Sequence, residues 1–190
     1  NLEFQEFQVI PSSSHPFAKA YQIGVEVYHE LKRVLVYRNA SIAVGEEGGF
    51  APNFTSNMDA IEAISEAVVQ KNLKLGMDVF LGLDVASSSF FKDSRYHIKD
   101  ASHALSKDEY MEFILKLTKN YPLLCLEDPL NEDDFEGWSK LLKTMSQDIY
   151  LIGDDLLATN KERLEKAIKE KACSMALIKP NQIGTISETL

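Results

Sequence analysis

Val79-Phe80-Leu81-Gly82-Leu83-Asp84 is an apolar run closed by an acid. A short segment that is nearly all apolar reads as a strand covered on both faces. The same figure recurs down the chain. Leu123-Leu124-Cys125-Leu126 is closed by Glu127, and Ile149-Tyr150-Leu151-Ile152-Gly153 by Asp154. Met175-Ala176-Leu177-Ile178 is closed by Lys179. Residues 4–10, 42–45, 79–85, 123–127, 149–153 and 175–179 are the predicted strands. The second is short and runs into a glycine-rich loop.

Amphipathic segments fill the gaps. Residues 17–37 place Val25, Tyr28, Leu31 and Leu35 on one helical stripe, with Lys32 and Arg33 turned outward. Asn57 precedes Ala60, Ile61, Ile64, Ala67 and Val68. Ser106 with Glu109 forms a capping box before Met111, Ile114 and Leu117. Asp133 or Asp134 opens a helix over 135–145. Asn160 opens another, with Leu164, Ala167 and Ile168 inward. Thr185 with Glu188 forms a last box near the final residue, Leu190. Alternating strands and helices predict an α/β fold with parallel strands and helical crossovers. A doubly wound sheet and a (β/α)8 barrel both fit. No linker or low-complexity stretch divides the chain.

Composition narrows the function classes. The chain has 190 residues, 45% hydrophobic and 26% charged, which suits a globular domain. No apolar run approaches the roughly 20 residues that span a bilayer. The opening NLEFQEFQ reads as a strand and not as a signal peptide. The absence of an initial Met suggests a fragment or a processed chain. A net charge of −9 weighs against nucleic acid as a partner. Cys125 and Cys173 lie in apolar settings and read as free thiols in a reducing cytosol.

The charges at the strand ends carry the chemistry. In a barrel the C-terminal ends of the strands open on one face, where Asp84, Glu127, Asp154 and Lys179 would converge. Three carboxylates from separate strands form an oxygen-only cage suited to Mg2+. Without a cation they would repel, and at least one pKa would rise. A single acid at a strand end is as often a helix cap; four charged ends in succession are a stronger signal. Pro180 keeps Lys179 extended. That lysine either snorkels to water or, beside a cation, serves as a base. The loop 44–53 holds Glu46 and Glu47 between glycines, either as a solvated turn or as backbone that approaches a ligand. Gln5-Glu6 places an acid in an apolar strand, where it needs a partner or a proton. His15, His29, His97 and His103 are scattered and read as surface or core residues.

Taken together, these segments resemble the enolase family. GEEGGFAPN is similar to its G-D-E-G-G-(F/Y)-A-P-N loop, and GLDVASSSFF to its L-D-x-A-(A/S)-S-x-F segment. LEDPLNEDDFEGW, IGDDLLATN, IKPNQIGTISET, QEFQVIP and GVEVYHELKRVL are similar to further family segments, in family order from Asn1 to Leu190. The resemblance implies a partial (β/α)8 barrel, with about five of eight strands present. It implies Asp84, Glu127 and Asp154 as Mg2+ ligands. Lys179 is implied as the base that takes the C2 proton of 2-phosphoglycerate, Glu47 as the acid at the C3 hydroxyl, Glu6 as its supporting carboxylate and Gln5 as a substrate contact. Substrate-binding residues would be Gln5, Glu6, Glu127 and Lys179. The implied activity is a cytoplasmic glycolytic lyase giving phosphoenolpyruvate and water, from a homodimer when full length.

The departures are Glu46 for the family's Asp, Gln8 for Met, and Leu130 for Phe. The family's N-terminal α+β domain, its phosphate-binding Arg-Ser pair and its second essential lysine have no counterpart in residues 1–190. The isolated chain is therefore expected to be inactive and, with two open sheet edges, unstable. An inactive enolase-like binding or structural protein is the alternative reading. A different metal-dependent lyase of the wider superfamily is a third, disfavoured by NQIG and EGGFAPN.

Overall fold

A computed structural model describes residues 2–190. Five strands form one sheet: β1 (Glu6–Pro11), β2 (Val79–Asp84), β5 (Leu123–Glu127), β6 (Tyr150–Gly153) and β7 (Met175–Ala176), in the order β1-β2-β5-β6-β7. A separate hairpin pairs β3 (Phe91–Lys92) with β4 (Arg95–Tyr96). Its central residues, Asp93 and Ser94, have φ 51° and 59°, the left-handed pair that a two-residue hairpin turn requires. The main sheet is open and does not close into a barrel within the described residues.

In the main sheet β2, β5, β6 and β7 run parallel, as expected. β1 does not. It lies antiparallel to β2, with Glu6 opposite Asp84 and Pro11 opposite Val79. Reversal carries the start of β1 to the edge where the parallel strands end. The segment 42–45 is not a strand. A single bridge from Val44 to Phe50 closes the acidic loop there. β7 is shorter than expected, ending at Ala176; Pro180 then opens a one-turn helix, α6 (Pro180–Ile183), with Lys179 at its N-cap.

The longer helices are α1 (Phe17–Tyr37), α2 (Asn57–Gln70), α3 (Lys107–Asn120), α4 (Phe135–Thr144) and α5 (Lys161–Glu170); a short α7 (Ile186–Thr189) follows α6. The capping chemistry read from sequence is present at α3, α4, α5 and α7, through Ser106, Asp134, Asn160 and Thr185. At α2 the cap is Ser56, boxed with Asp59. Asn57 is instead the first helical residue, buried, and its Oδ1 accepts from Phe4 N at 3.1 Å.

Two helix faces differ from the periodicity. On α1 the buried stripe is Ile23, Val27, Val34 and Leu35 with Glu30; Val25 and Tyr28 face outward. Tyr28 is recruited by the acidic loop: its hydroxyl donates to Gly48 O at 2.8 Å and its ring stacks on Phe50 at 4.4 Å. On α5, Ala167 is buried, Leu164 half-buried and Ile168 68% exposed. Among the described residues no helix is long and apolar enough to cross a membrane. Both cysteines are free, Cys125 buried and Cys173 partly so.

Gly82 shows how tightly β1, β2 and β5 meet. A Cβ there would lie 2.6 Å from Gln8 Oε1, 2.8 Å from Cys125 Sγ and 2.9 Å from Ile10 Cδ1. Each is closer than real Cβ atoms come, so a side chain there would force these three side-chain ends to shift. Gly82→Ala in the full-length protein is expected to lower stability by about 1–3 kcal/mol through overpacking. Ser106→Ala, which removes only a cap, should cost about 1 kcal/mol. Urea unfolding curves of both variants check this ordering.

Candidate functional site

Strand register builds the site. Asp84 closes β2 and pairs in register with Glu127, which closes β5. Glu6, at the start of antiparallel β1, pairs with Asp84 on its other side. Asp154 follows Gly153, the last residue of β6. Neighbouring strands lie about 4.8 Å apart, so four carboxyl groups share one sheet edge. Asp84, Glu127 and Asp154 are 8%, 9% and 6% exposed. An oxygen of Glu127, one of Asp128 and one of Asp154 lie within 4.8 Å of one another. Asp84 stands one strand further along.

Lys179 reaches this group from beyond β7. Its ammonium pairs with Asp154 Oδ2. Gln182 Nε2 donates to Asp154 Oδ1 at 2.7 Å, while Gln182 Oε1 accepts from Thr159 Oγ1 at 2.9 Å. Thr159 Oγ1 in turn accepts from Lys179 N at 2.8 Å. Lys179 has φ −124° and ψ 102°, the extended backbone that Pro180 imposes. Asp128, Thr159 and Gln182 are parts of the site that residue-by-residue reading passed over. The second acid in Glu127-Asp128-Pro129 was the available signal for the first. Nothing local marks the other two.

Burial and mutual repulsion disturb the acids. Burial, then Glu127, Asp128 and Glu6, pushes Asp84 up to about 8, against one opposing N–H from Ala86. Burial, then Asp154 and Asp128, pushes Glu127 up to about 7. Burial pushes Asp128 up to about 6 although three backbone N–H groups oppose it. The hydrogen bond to Asp154 raises the Lys179 ammonium above the ordinary lysine range. Buried, oxygen-only donors that resist carrying their charges together fit a hard divalent cation.

The other sequence candidates lie at varying distance from this centre. Glu6 is half-buried and accepts from Gln8 Nε2 at 3.1 Å. Gln8 is thus a polar partner for the acid, not merely a packing change. Gln5 is exposed, and its backbone N–H donates to Asp84 O at 3.0 Å. Glu47 is exposed in the loop that Tyr28 tethers, and its carboxylate has no hydrogen bond or ion pair among the described residues. The backbone is strained where the strands end: Ala86, Asp128, Ala158 and Thr159 have φ of 44°, 41°, 47° and 51°. Such conformations gather at functional sites.

Known proteins match this sequence over the whole chain. The family model "Enolase, C-terminal TIM barrel domain" matches residues 1–190. The chain belongs to the enolase family. It is 44% identical over 191 aligned residues to enolases of Helicobacter pylori strains HPAG1 and ATCC 700392 / 26695, and equally to that of Helicobacter acinonychis strain Sheeba. Each alignment covers 100% of this chain and 45% of the relative, so the chain spans about half the length of these enolases. The five-stranded open sheet is therefore of the enolase barrel kind, and its first antiparallel pair positions the start of β1 at the site.

The raised carboxyl pKa values give a pH signature. The folded state binds these protons more tightly than the unfolded chain, whose acids titrate near 4. Their contribution to stability is therefore complete below about pH 4 and is lost progressively as pH rises from there to the folded values of about 6, about 7 and about 8. In EDTA the full-length protein's melting temperature is expected to fall across that window. Asp84→Asn should flatten the fall, and so should millimolar Mg2+. Melting curves from about pH 5 to about pH 9, with and without the metal, measure this.

Proposed function

We propose that this chain is the larger part of the catalytic domain of a magnesium-dependent carbon–oxygen lyase, which interconverts 2-phosphoglycerate and phosphoenolpyruvate plus water. The observation that carries the reading is the Lys179–Asp154 pair set against Glu127 at the strand ends, with Asp84 alongside. Base and acids come from separate elements and meet where such barrels do their chemistry. Family membership and the Helicobacter enolases support the same reaction. A glycolytic role in the cytoplasm, a homodimeric full-length protein and a separate N-terminal domain belong to this proposal. So do the remaining barrel strands and phosphate-binding groups, supplied by the rest of the protein.

Asp84, Glu127 and Asp154 would hold the Mg2+. Bound there, the ion would supply positive charge beside the substrate carboxylate, where negative charge collects as the C2 proton leaves. Lys179 takes that proton. To do so it must first be neutral, and Asp154 raises its pKa while the two are paired. With Asp154 held by a cation, Lys179 would lose that partner and lie beside positive charge, which would lower its pKa toward the working range of a base. The electron pair of the broken C2–H bond moves into the carboxylate and then forms the C2–C3 double bond as the C3 hydroxyl departs. Glu47 protonates the hydroxyl, which leaves as water, and Glu6 with Gln5 orients the acid and the substrate. Glu47 stands exposed, so this role requires its loop to fold over the strand ends. Gly48, at φ 86°, and the other glycines leave that backbone free to rearrange.

Lys179→Ala in the full-length protein is expected to lower kcat by a factor of at least about 10² to 10⁴. Phosphoenolpyruvate formation, followed by its absorbance, reads this while circular dichroism shows the fold retained. Surviving activity would remove Lys179 from the role of base. The 190-residue chain alone is expected to show no turnover with Mg2+; turnover at the full-length rate would refute that. A full-length protein that folds and binds Mg2+ but never turns over would favour the binding-protein reading.

A further inference from the structure

On the magnesium reading above, we propose that Asp128 is a positioning residue, not a metal ligand: its carboxylate clamps the backbone turn that aims Asp154 at the cation. Asp128 belongs to the tightest group of acids at the strand ends, so by proximity alone it would be counted as a ligand. Its hydrogen bonds assign it differently. Oδ1 accepts from Asp154 N at 3.2 Å and Leu156 N at 3.4 Å, and Oδ2 from Asp155 N at 2.6 Å. Both oxygens are thus committed to main-chain amides, which cannot swing away to release them. Asp154 differs: its oxygens are held by the side chains of Lys179 and Gln182, which can rotate off. The Glu127 carboxylate accepts no hydrogen bond from another described residue.

The main chain of Asp128 is committed too. Its N–H donates to Ile152 O at 3.1 Å and its carbonyl accepts from Ser87 N at 3.1 Å. The residue therefore joins the ends of β2, β5 and β6. It does so at φ 41° immediately before Pro129, a conformation that costs free energy for a residue with a Cβ and must be held by its surroundings. Arg163, at the start of α5, ties the same loops from outside. Its Nε donates to Leu156 O at 2.6 Å, and its Nη1 and Nη2 to Asp133 Oδ1 and Glu132 O. Its guanidinium lies 5.3 Å over the Phe135 ring. The turn 154–156 is thus gripped by Asp128 through its three amides and by Arg163 through the Leu156 carbonyl. Loosening the Asp128 grip leaves Asp154 present but no longer aimed.

The test uses full-length protein carrying Asp128→Asn, whose amide matches the carboxylate in size but cannot accept at both ends. Calorimetric titration with Mg2+ should show affinity weakened about 10- to 100-fold, the range seen when groups that orient ligands are changed. With Mn2+ as a probe, water-proton relaxation should show the same number of bound waters as in the wild type. In metal-free protein, the amides of residues 154–156 should exchange with deuterium faster than in the wild type. Unchanged Mg2+ affinity would overturn the assignment. So would one additional water on Mn2+, which would make Asp128 a ligand. A wild-type protein that binds no Mg2+ would sink the lyase reading instead, and the deuterium exchange would still judge the clamp. Should Asp128→Asn fail to fold, Asp128→Ser, which keeps one acceptor, is read by the same criteria.

Discussion

Like charge in a dry place is the constraint on which the rest of this structure depends. Asp84, Glu127, Asp128 and Asp154 are all under a tenth exposed and crowd the ends of three neighbouring strands. Burial and mutual repulsion raise the pKa of the first three. Left to itself, such a cluster would push the strand ends apart or take up protons. The fold opposes that with the Lys179 ammonium, the Gln182 amide and main-chain N–H groups aimed at the oxygens. The strain at Ala86, Asp128, Ala158 and Thr159 lies in the same few turns. These backbones are bent to put donors and acids where extended chain would not bring them.

The sheet supplies the rigidity that such an arrangement needs. β5 is flanked on both sides by parallel partners, so Glu127 is held in register with Asp84. Gly82 lets Gln8, Ile10 and Cys125 close over the middle of β2 without a side chain in the way. Antiparallel β1 then adds Glu6 from the opposite chain direction, with Gln8 two residues on and on the same face. By contrast, the loop with Glu46 and Glu47 is exposed and fastened mainly through Tyr28 and a single bridge. Rigid strand ends and a lightly tethered acidic loop suit the proposed function, which requires a charge centre held still and a way in for substrate.

Much of the fold was legible because its signals are local. Ser106 with Glu109, Asp134, Asn160 and Thr185 cap their helices through bonds spanning three residues, so spacing reveals them. Apolar runs closed by a charge announced the strands and placed Asp84, Glu127, Asp154 and Lys179 at one edge. Errors arose where a distant partner decided the matter. Tyr28 has helical spacing for the core, yet a loop some twenty residues on takes its hydroxyl and ring. Ile168 has the same spacing, and no described residue covers it. Asn57 resembles a cap but is used to hold the backbone of Phe4.

The sequence by itself determined the family, the alternation of strands and helices, and which acids end which strands, since these follow from residue order and periodicity. Tertiary structure alone decided that β1 runs backwards and so brings Glu6 beside Asp84. It alone gave Asp128 three amides from the next strand's turn, and set Gln182 and Thr159 around Asp154 and Lys179. The reason is physical. Chain direction in a sheet and the partner of a buried carboxylate depend on groups many residues away. Only packing brings such groups within hydrogen-bond reach.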